Sequence, residues 1–321
     1  MPKISVIIPV YNVEKYILRC ARSLFEQTLD DIEYIFVDDA SPDKSVDVIK
    51  SILHEYPNRQ DRVVFIRHKT NIGLAAARAT GIGLATGDYI AHCDSDDWVD
   101  VNMYKELYYA AIASDADILT CDFMFAYQNY NEQYMCIPFS GSKQGFMQAY
   151  ITAGMTSVCN MIAKRDIYKN NNITPTIGVN YCEDFILSVK LLHKANKIVH
   201  INKALYNYNQ LNTGSLLRSR RKEALKEEIS AYLDVIDYFK QEGEYPLYAK
   251  QLCWRILKAK QEWILASEEH KTFLKTYPES HRYILSCPMI NKKLKIMMWC
   301  KTHHLGWVTN GIVFLRNLLE R

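Results

Sequence analysis

An α/β architecture, a mostly parallel sheet flanked by helices and followed by an α-helical C-terminal extension, is what the amino-acid sequence predicts. Three observations carry this expectation. Apolar, β-type runs alternate with helix-length segments through the first 125 residues, as in strands buried on both faces by crossover helices. Acidic residues cluster where those runs end, and from residue 222 onward nearly every segment has helical periodicity.

The strands are expected at Ile4 to Pro9, Glu33 to Val37, Val63 to Arg67, Tyr89 to Cys93 and Ile118 to Phe123, each rich in β-branched or aromatic residues. Between them, residues 14–27, 44–56, 73–86 and 101–115 are long enough for helices. Tyr127 to Ile137 is aromatic and polar and predicts a hairpin or an irregular insert. A short strand at 158–163, a helix at 184–193, a strand at 197–208 and a polar loop from Gln210 to Ser215 complete a first domain, residues 1–215. Residues 216–321 form the extension, where Leu225, Ile229, Tyr232, Leu233, Ile236 and Phe239 mark one buried helix face.

Composition narrows the function. The chain has 321 residues, 49% apolar and 23% charged, enough for a large core plus an appendage. Its net charge of +3 gives no reason to expect a nucleic-acid binder. The sum conceals an asymmetry: residues 1–215 carry 20 Lys+Arg against 24 Asp+Glu, and residues 216–321 carry 19 against 12. The nine cysteines are scattered without a C-x-x-C pair, which argues against a disulfide framework or zinc ribbon and for reduced thiols in a cytoplasmic protein. No signal-peptide core follows Met1-Pro2-Lys3, and no stretch reaches the roughly 18 apolar residues of a membrane span.

In a doubly wound sheet, ligands bind beyond the carboxyl ends of the strands. The first strand ends in Pro9-Val10-Tyr11-Asn12, the second in Asp38-Asp39-Ala40-Ser41-Pro42-Asp43, and the fourth in Cys93-Asp94-Ser95-Asp96-Asp97. Because side chains alternate along extended chain, Asp94 and Asp96 point the same way and could present oxygens to one Mg2+ or Mn2+. The plainer alternative is helix capping, a role open to Asp97 or Asp100. Asp38 and Asp39 could serve an Asx-turn, or a carboxylate there could accept the ring N–H of uracil, thymine or guanine, with Tyr11 against the base.

These runs, together with Asn71-Ile72-Gly73-Leu74-Ala75-Ala76-Ala77-Arg78 and Glu183-Asp184, resemble family-two glycosyltransferases with the GT-A (Rossmann-like) fold, of the bacterial surface-polysaccharide type. The resemblance covers roughly residues 3–215. It implies that Asp39 contacts the nucleotide base in a pocket formed with Pro9 and Tyr11, that Arg78 lies near the donor, and that Asp94 and Asp96 engage the ribose and a divalent cation, with Asp96 the direct metal ligand. Asp184 would be the general base; Glu183, about 100° away around the helix, would do a different job. Glu183, Asp38 and Asp97 are secondary candidates. At a helix start, the dipole is expected to favour ionised Asp184. His193, His200 and Cys182 are read as structural, and Asn209 or His200 could lie near the metal.

The implied reaction is inverting transfer from a UDP-, TDP- or GDP-sugar, UDP preferred, to a saccharide or polyprenyl-linked acceptor. The alternatives are a catalytically silent nucleotide-sugar-binding scaffold subunit and a nucleotidyltransferase. The acidic set is complete, and Val10-Tyr11-Asn12-Val13 stands where the latter needs a Gly-rich basic loop. Two departures from the family pattern stand out: Ala40 replaces the usual Gly, which matters if that position needs positive φ, and Ala79 replaces a common Asn. The segment from Gln210 with Arg218, Arg220 and Arg221 resembles a donor-closing loop. Residues 281–321 carry seven Lys+Arg against one acid among Met297, Met298, Trp299, Trp307, Val308, Ile312, Phe314, Leu315 and Leu318. This composition suits either the inner face of the plasma membrane or packing, within the chain or in a homodimer.

Overall fold

The computed structural model describes residues 2–136, 141–212, 222–305 and 307. The chain divides into two units, residues 1–146 with 155–220, and residues 147–154 with 221–321. Arg218, Arg220, Arg221, Val308, Ile312, Phe314, Leu315 and Leu318, singled out above, lie outside the described residues.

The first half follows the expected alternation: β1 (Ile4–Val10), α1 (Ile17–Phe25), β2 (Ile32–Asp38), α2 (Ser45–Leu53), β3 (Val63–Arg67), α3 (Leu74–Leu84) and β4 (Tyr89–His92). Then come β5 (Trp98–Val99), α4 (Met103–Ser114), β6 (Ile118–Ala126), β7 (Asn131–Tyr134), α5 (Lys143–Ile151), β8 (Met161–Lys164), α6 (Arg165–Asn170), α7 (Glu183–Lys194) and β9 (Ile198–Asn209). Among the described residues these strands form one sheet in the order β3-β2-β1-β4-β8-β6-β9-β5, with β7 paired to β6. The β3-β2-β1-β4 portion and the β6–β9 pair are parallel. β8 runs antiparallel to both β4 and β6, and β5 antiparallel to β9. Tyr127 to Ile137 contains the expected hairpin, since β7 turns back on β6.

β1 is an interior strand, between β2 and β4, and every residue in it is buried, which is why its sequence is apolar but for Ser5. Helix α3 packs against it at Gly81, where a β-carbon would come within 2.3 Å of Ile7 Cγ2.

The helical unit contains α8 (Lys222–Gln241), α9 (Tyr245–Leu265), α10 (His270–Lys275) and α11 (Lys292–Thr302). Of the face read from the sequence, Ile229, Tyr232, Ile236 and Phe239 are buried, and Leu225 and Leu233 half-buried. Met297 and Met298 from the basic end are buried in a cluster with Leu257, Ile264, Phe273 and Ile284. Trp299 and Ile296 face outward. No helix among the described residues is long and apolar enough to cross a membrane.

Just beyond β2, Ala40 adopts φ +57°, the left-handed region. A residue with a β-carbon pays about 1–2 kcal/mol there, whereas glycine does not. Ala40→Gly is therefore expected to raise stability by up to about 1 kcal/mol after the added freedom of the unfolded chain is subtracted. Urea unfolding checks this, and an unchanged or lower midpoint would contradict it.

Candidate functional site

Parallel pairing brings the relevant strand ends to one edge. Val10 is level with Asp38, Asp38 with Arg67, and Ile7 with His92. The loops leaving β1, β2 and β4 therefore start side by side. Pro9 is buried in β1, while Tyr11, just past its end, is 46% exposed and free to meet a flat ligand.

The two aspartates after β2 have separate jobs. Asp38 serves the loop: its Oδ1 accepts from Ser41 N at 2.7 Å, and its Oδ2 pairs with Arg67 Nη1 at 2.8 Å. This is the turn role left open by the sequence. Asp39 points elsewhere. Its Oδ1 accepts from His68 Nδ1 at 2.7 Å and Ile72 N at 3.0 Å, and its Oδ2 from Gly73 N at 2.8 Å. A carboxylate offers about four acceptor sites, and these three bonds occupy most of those of Asp39, which is 3% exposed. The approach depends on Gly73, whose φ is +97° and whose hypothetical β-carbon would lie 2.2 Å from Asn180 Oδ1.

Arg78 on α3 is 1% exposed and joins two acidic segments. Its Nε donates to Glu183 Oε1 at 3.0 Å and its Nη2 to Asp94 Oδ1 at 2.6 Å, while Nη1 has no hydrogen-bond partner among the described residues. Burial by itself would lower the guanidinium pKa; Asp94 and Glu183 outweigh that and hold it well above its ordinary value. The arginine thus serves the site from beneath, by fixing carboxylates.

After β4 the three aspartates diverge. Asp94 is half-buried against Arg78, and its backbone N–H donates to Tyr206 Oη at 3.1 Å. Asp96 accepts from Asn212 Nδ2 at 2.7 Å, and burial, then repulsion from Asp94, raises its pKa. Asp97 is 1% exposed, and its two oxygens accept from Tyr206 Oη at 2.7 Å and Asn209 N at 2.8 Å. Burial, then Asp96 and Asp94, pushes its pKa well above the carboxylate range. Asp97 neither caps α4, whose cap residue is Asn102, nor faces outward; it ties the acidic loop to β9.

Glu183 and Asp184 open α7 as expected, with Cys182 in the left-handed conformation at its cap. Glu183 is buried on Arg78. Asp184 carries a pKa of about 8, raised by burial first and by the neighbouring Glu183 second. The helix start is where the sequence put it, but its dipole does not leave Asp184 with a low pKa; desolvation outweighs it. Tyr208 lies in the field of Asp97, Asp94, Asp96 and Asp184 together, which, with burial, raises its pKa.

Among the described residues, no group of three or more His, Cys, Asp or Glu side chains is arranged to hold a metal ion. Asp94 and Asp96 nonetheless suit a hard cation that takes few protein ligands: both are oxygen donors, and their mutual repulsion would be relieved by one. Asn209 belongs to this neighbourhood, its Nδ2 donating to Asp96 O at 3.0 Å. His200 does not, being paired with Asp122 at 3.1 Å and Thr120 at 2.8 Å. Sequence reasoning missed Tyr206, Tyr208, His68 and Asn212; only the alternation of tyrosines and asparagines in Tyr206-Asn207-Tyr208-Asn209 hinted that a strand there carries polar tips to one place.

Known proteins resemble this chain in sequence and in fold. The family model described as "Glycosyl transferase family 2" matches residues 5–171. An uncharacterized glycosyltransferase, EpsJ of Bacillus subtilis, is 30% identical over 71% of this chain and 67% of its own length. The minor teichoic acid biosynthesis protein GgaB of the same organism is 28% identical over 99% of this chain but only 36% of its own length. Among solved structures, TarS 1-349 of S. aureus in complex with UDP-GlcNAc superposes with a TM-score of 0.72 at 19% identity, covering 99% of this chain and 92% of that one.

The raised pKa of Asp184 makes stability depend on pH. Between about pH 4, where an unfolded aspartate ionises, and its folded pKa of about 8, the native state keeps a proton that the unfolded chain has lost. This contribution to stability is complete below that window and is lost as pH rises through it. Asp184→Asn should flatten the decline between pH 5 and 8 measured by urea unfolding; identical slopes in both proteins would contradict the assignment.

Proposed function

Since the chain belongs to glycosyl transferase family 2, we propose that it transfers a sugar, with inversion, from a nucleotide-diphosphate sugar to a saccharide or lipid-linked saccharide acceptor in cell-surface polysaccharide or glycolipid synthesis. UDP is the favoured nucleotide, with TDP and GDP as alternatives. The Asp39 carboxylate suits a ring N–H such as that of uracil, and exposed Tyr11 beside buried Pro9 suits the base plane. That TarS was crystallised with UDP-GlcNAc supports the same preference.

The observation that carries the reading is the connected acidic set: Asp184 with a pKa of about 8, Glu183 beside it on Arg78, and Arg78 on Asp94. A general base works best with a pKa near the working pH, and Asp184 has one. Its carboxylate takes the proton of the acceptor hydroxyl as that oxygen bonds to the anomeric carbon and the bond to the diphosphate breaks. One displacement inverts the centre. Glu183, engaged by Arg78, is a positioning residue.

Asp94 and Asp96 are the residues that would hold Mn2+ or Mg2+, and Asp96, without an ion-pair partner among the described residues, is the direct ligand in this reading. Such an ion, when bound, stabilises charge on the departing diphosphate. Residues 1–215 are read as the nucleotide-sugar-binding catalytic domain and residues 216–321 as a helical packing extension, a role supported by the burial of Met297 and Met298.

The test is nucleotide release from a panel of nucleotide sugars with and without divalent metal. Wild type should turn over a uridine donor only with metal. Asp184→Asn should lose roughly 10²–10⁴-fold in turnover, the typical contribution of a positioned base, while still binding UDP. Wild-type turnover in that variant would remove Asp184 from the base role.

A further inference from the structure

A second concavity adjoins the acidic loop. It is a groove of about 820 Å³ between α1 and the segments around β5 and the end of β9. Asp96 and Asn209 are the only residues it shares with the site described above. Lys15, in the turn before α1, and Arg19 and Arg22 on the helix line one wall, and the spacing of three puts Arg19 and Arg22 on one side of α1.

These three cations are not equivalent. Arg22 is paired with Glu55 at 3.3 Å. Arg19 has no carboxylate in ion-pair distance among the described residues. Its guanidinium lies over the Trp98 ring, 3.1 Å from the centroid, and partial burial lowers its pKa. Stacking fixes the plane of the guanidinium and engages its flat face, which leaves the N–H edge for two oxygens of one anionic group. Elsewhere on the wall, Glu26, Asp100 and Asn209 offer hydrogen-bonding groups suited to hydroxyls.

We propose that this groove is the acceptor subsite and that it takes a saccharide bearing an anionic group, phosphate or carboxylate, which the Arg19 guanidinium holds. The inference rests on the transferase reading above, since the groove opens beside Asp96. It adds to that reading the chemical class of the acceptor.

The full chain is first titrated with UDP and Mg2+; no binding overturns the nucleotide-sugar reading, independently of the groove. With UDP and Mg2+ saturating, the chain is then titrated with glucose 1-phosphate, glucuronate and methyl α-glucoside while the Trp98 indole N–H resonance is followed. Either anionic sugar should bind at least about tenfold more tightly than the neutral glucoside, about 1.4 kcal/mol. The tighter of the two identifies the natural group. Arg19→Gln, checked by thermal melting for an intact fold, should bind all three equally. Equal affinities in the wild type, or discrimination that survives Arg19→Gln, would overturn the proposal.

Discussion

A buried guanidinium is the constraint on which the acidic crevice depends. Arg78 reaches from α3 to Asp94 after β4 and to Glu183 at the start of α7, segments far apart in sequence. Taking an arginine out of water costs several kcal/mol unless its partners are well placed. With Glu183 4% exposed and Arg78 1% exposed, that requirement fixes where α7 begins relative to α3. Asp184, the next residue, inherits its position from the pair. A second joint links the same two regions: Ala75 N donates to Asn180 Oδ1 at 3.4 Å, beside the close approach at Gly73.

The same economy of cations explains the electrostatics. Asp96, Asp97, Glu183 and Asp184 are all raised in pKa, each by burial first, each feels the charge of Asp94, and Asp96, Glu183 and Asp184 also feel Arg78. The acidic excess of residues 1–215 is thus concentrated at a single sheet edge. Among the described residues the site has more carboxylates than cations, so its carboxyl groups hold protons tightly, as the proposed base near neutral pH requires. Tyr206 reconciles the crowding by accepting from Asp94 N and donating to Asp97.

Most of the fold was legible because buried parallel strands write themselves as apolar runs: β1, β2, β3 and β4 fall within a residue of the reading, and β6 starts where expected and runs three residues further. What escaped has a physical cause. β5 has two residues, too few for any period, and the antiparallel insertion of β8 between β4 and β6 is a tertiary choice that no local pattern encodes. At the site, the acidic residues were visible as types and spacings, but their division of labour was not. Asp38 turned to its loop and Asp97 to Tyr206 and Asn209 because of partners distant in sequence. Asp184 was expected to favour ionisation from helix position alone; burial, which only the folded chain supplies, reversed the sign. Ala40 shows the converse, since its departure from glycine was visible in the sequence and its positive φ makes that departure matter.

The central claim is that Arg78 and Glu183 act as one buried unit that fixes the start of α7. A double-mutant cycle with Arg78→Met, Glu183→Leu and the combined variant, read by urea unfolding, tests it most directly. Each single change should cost about 3–5 kcal/mol by stranding a buried charge, and the double variant should cost clearly less than their sum. Additive losses, with no coupling between the two positions, would contradict the account.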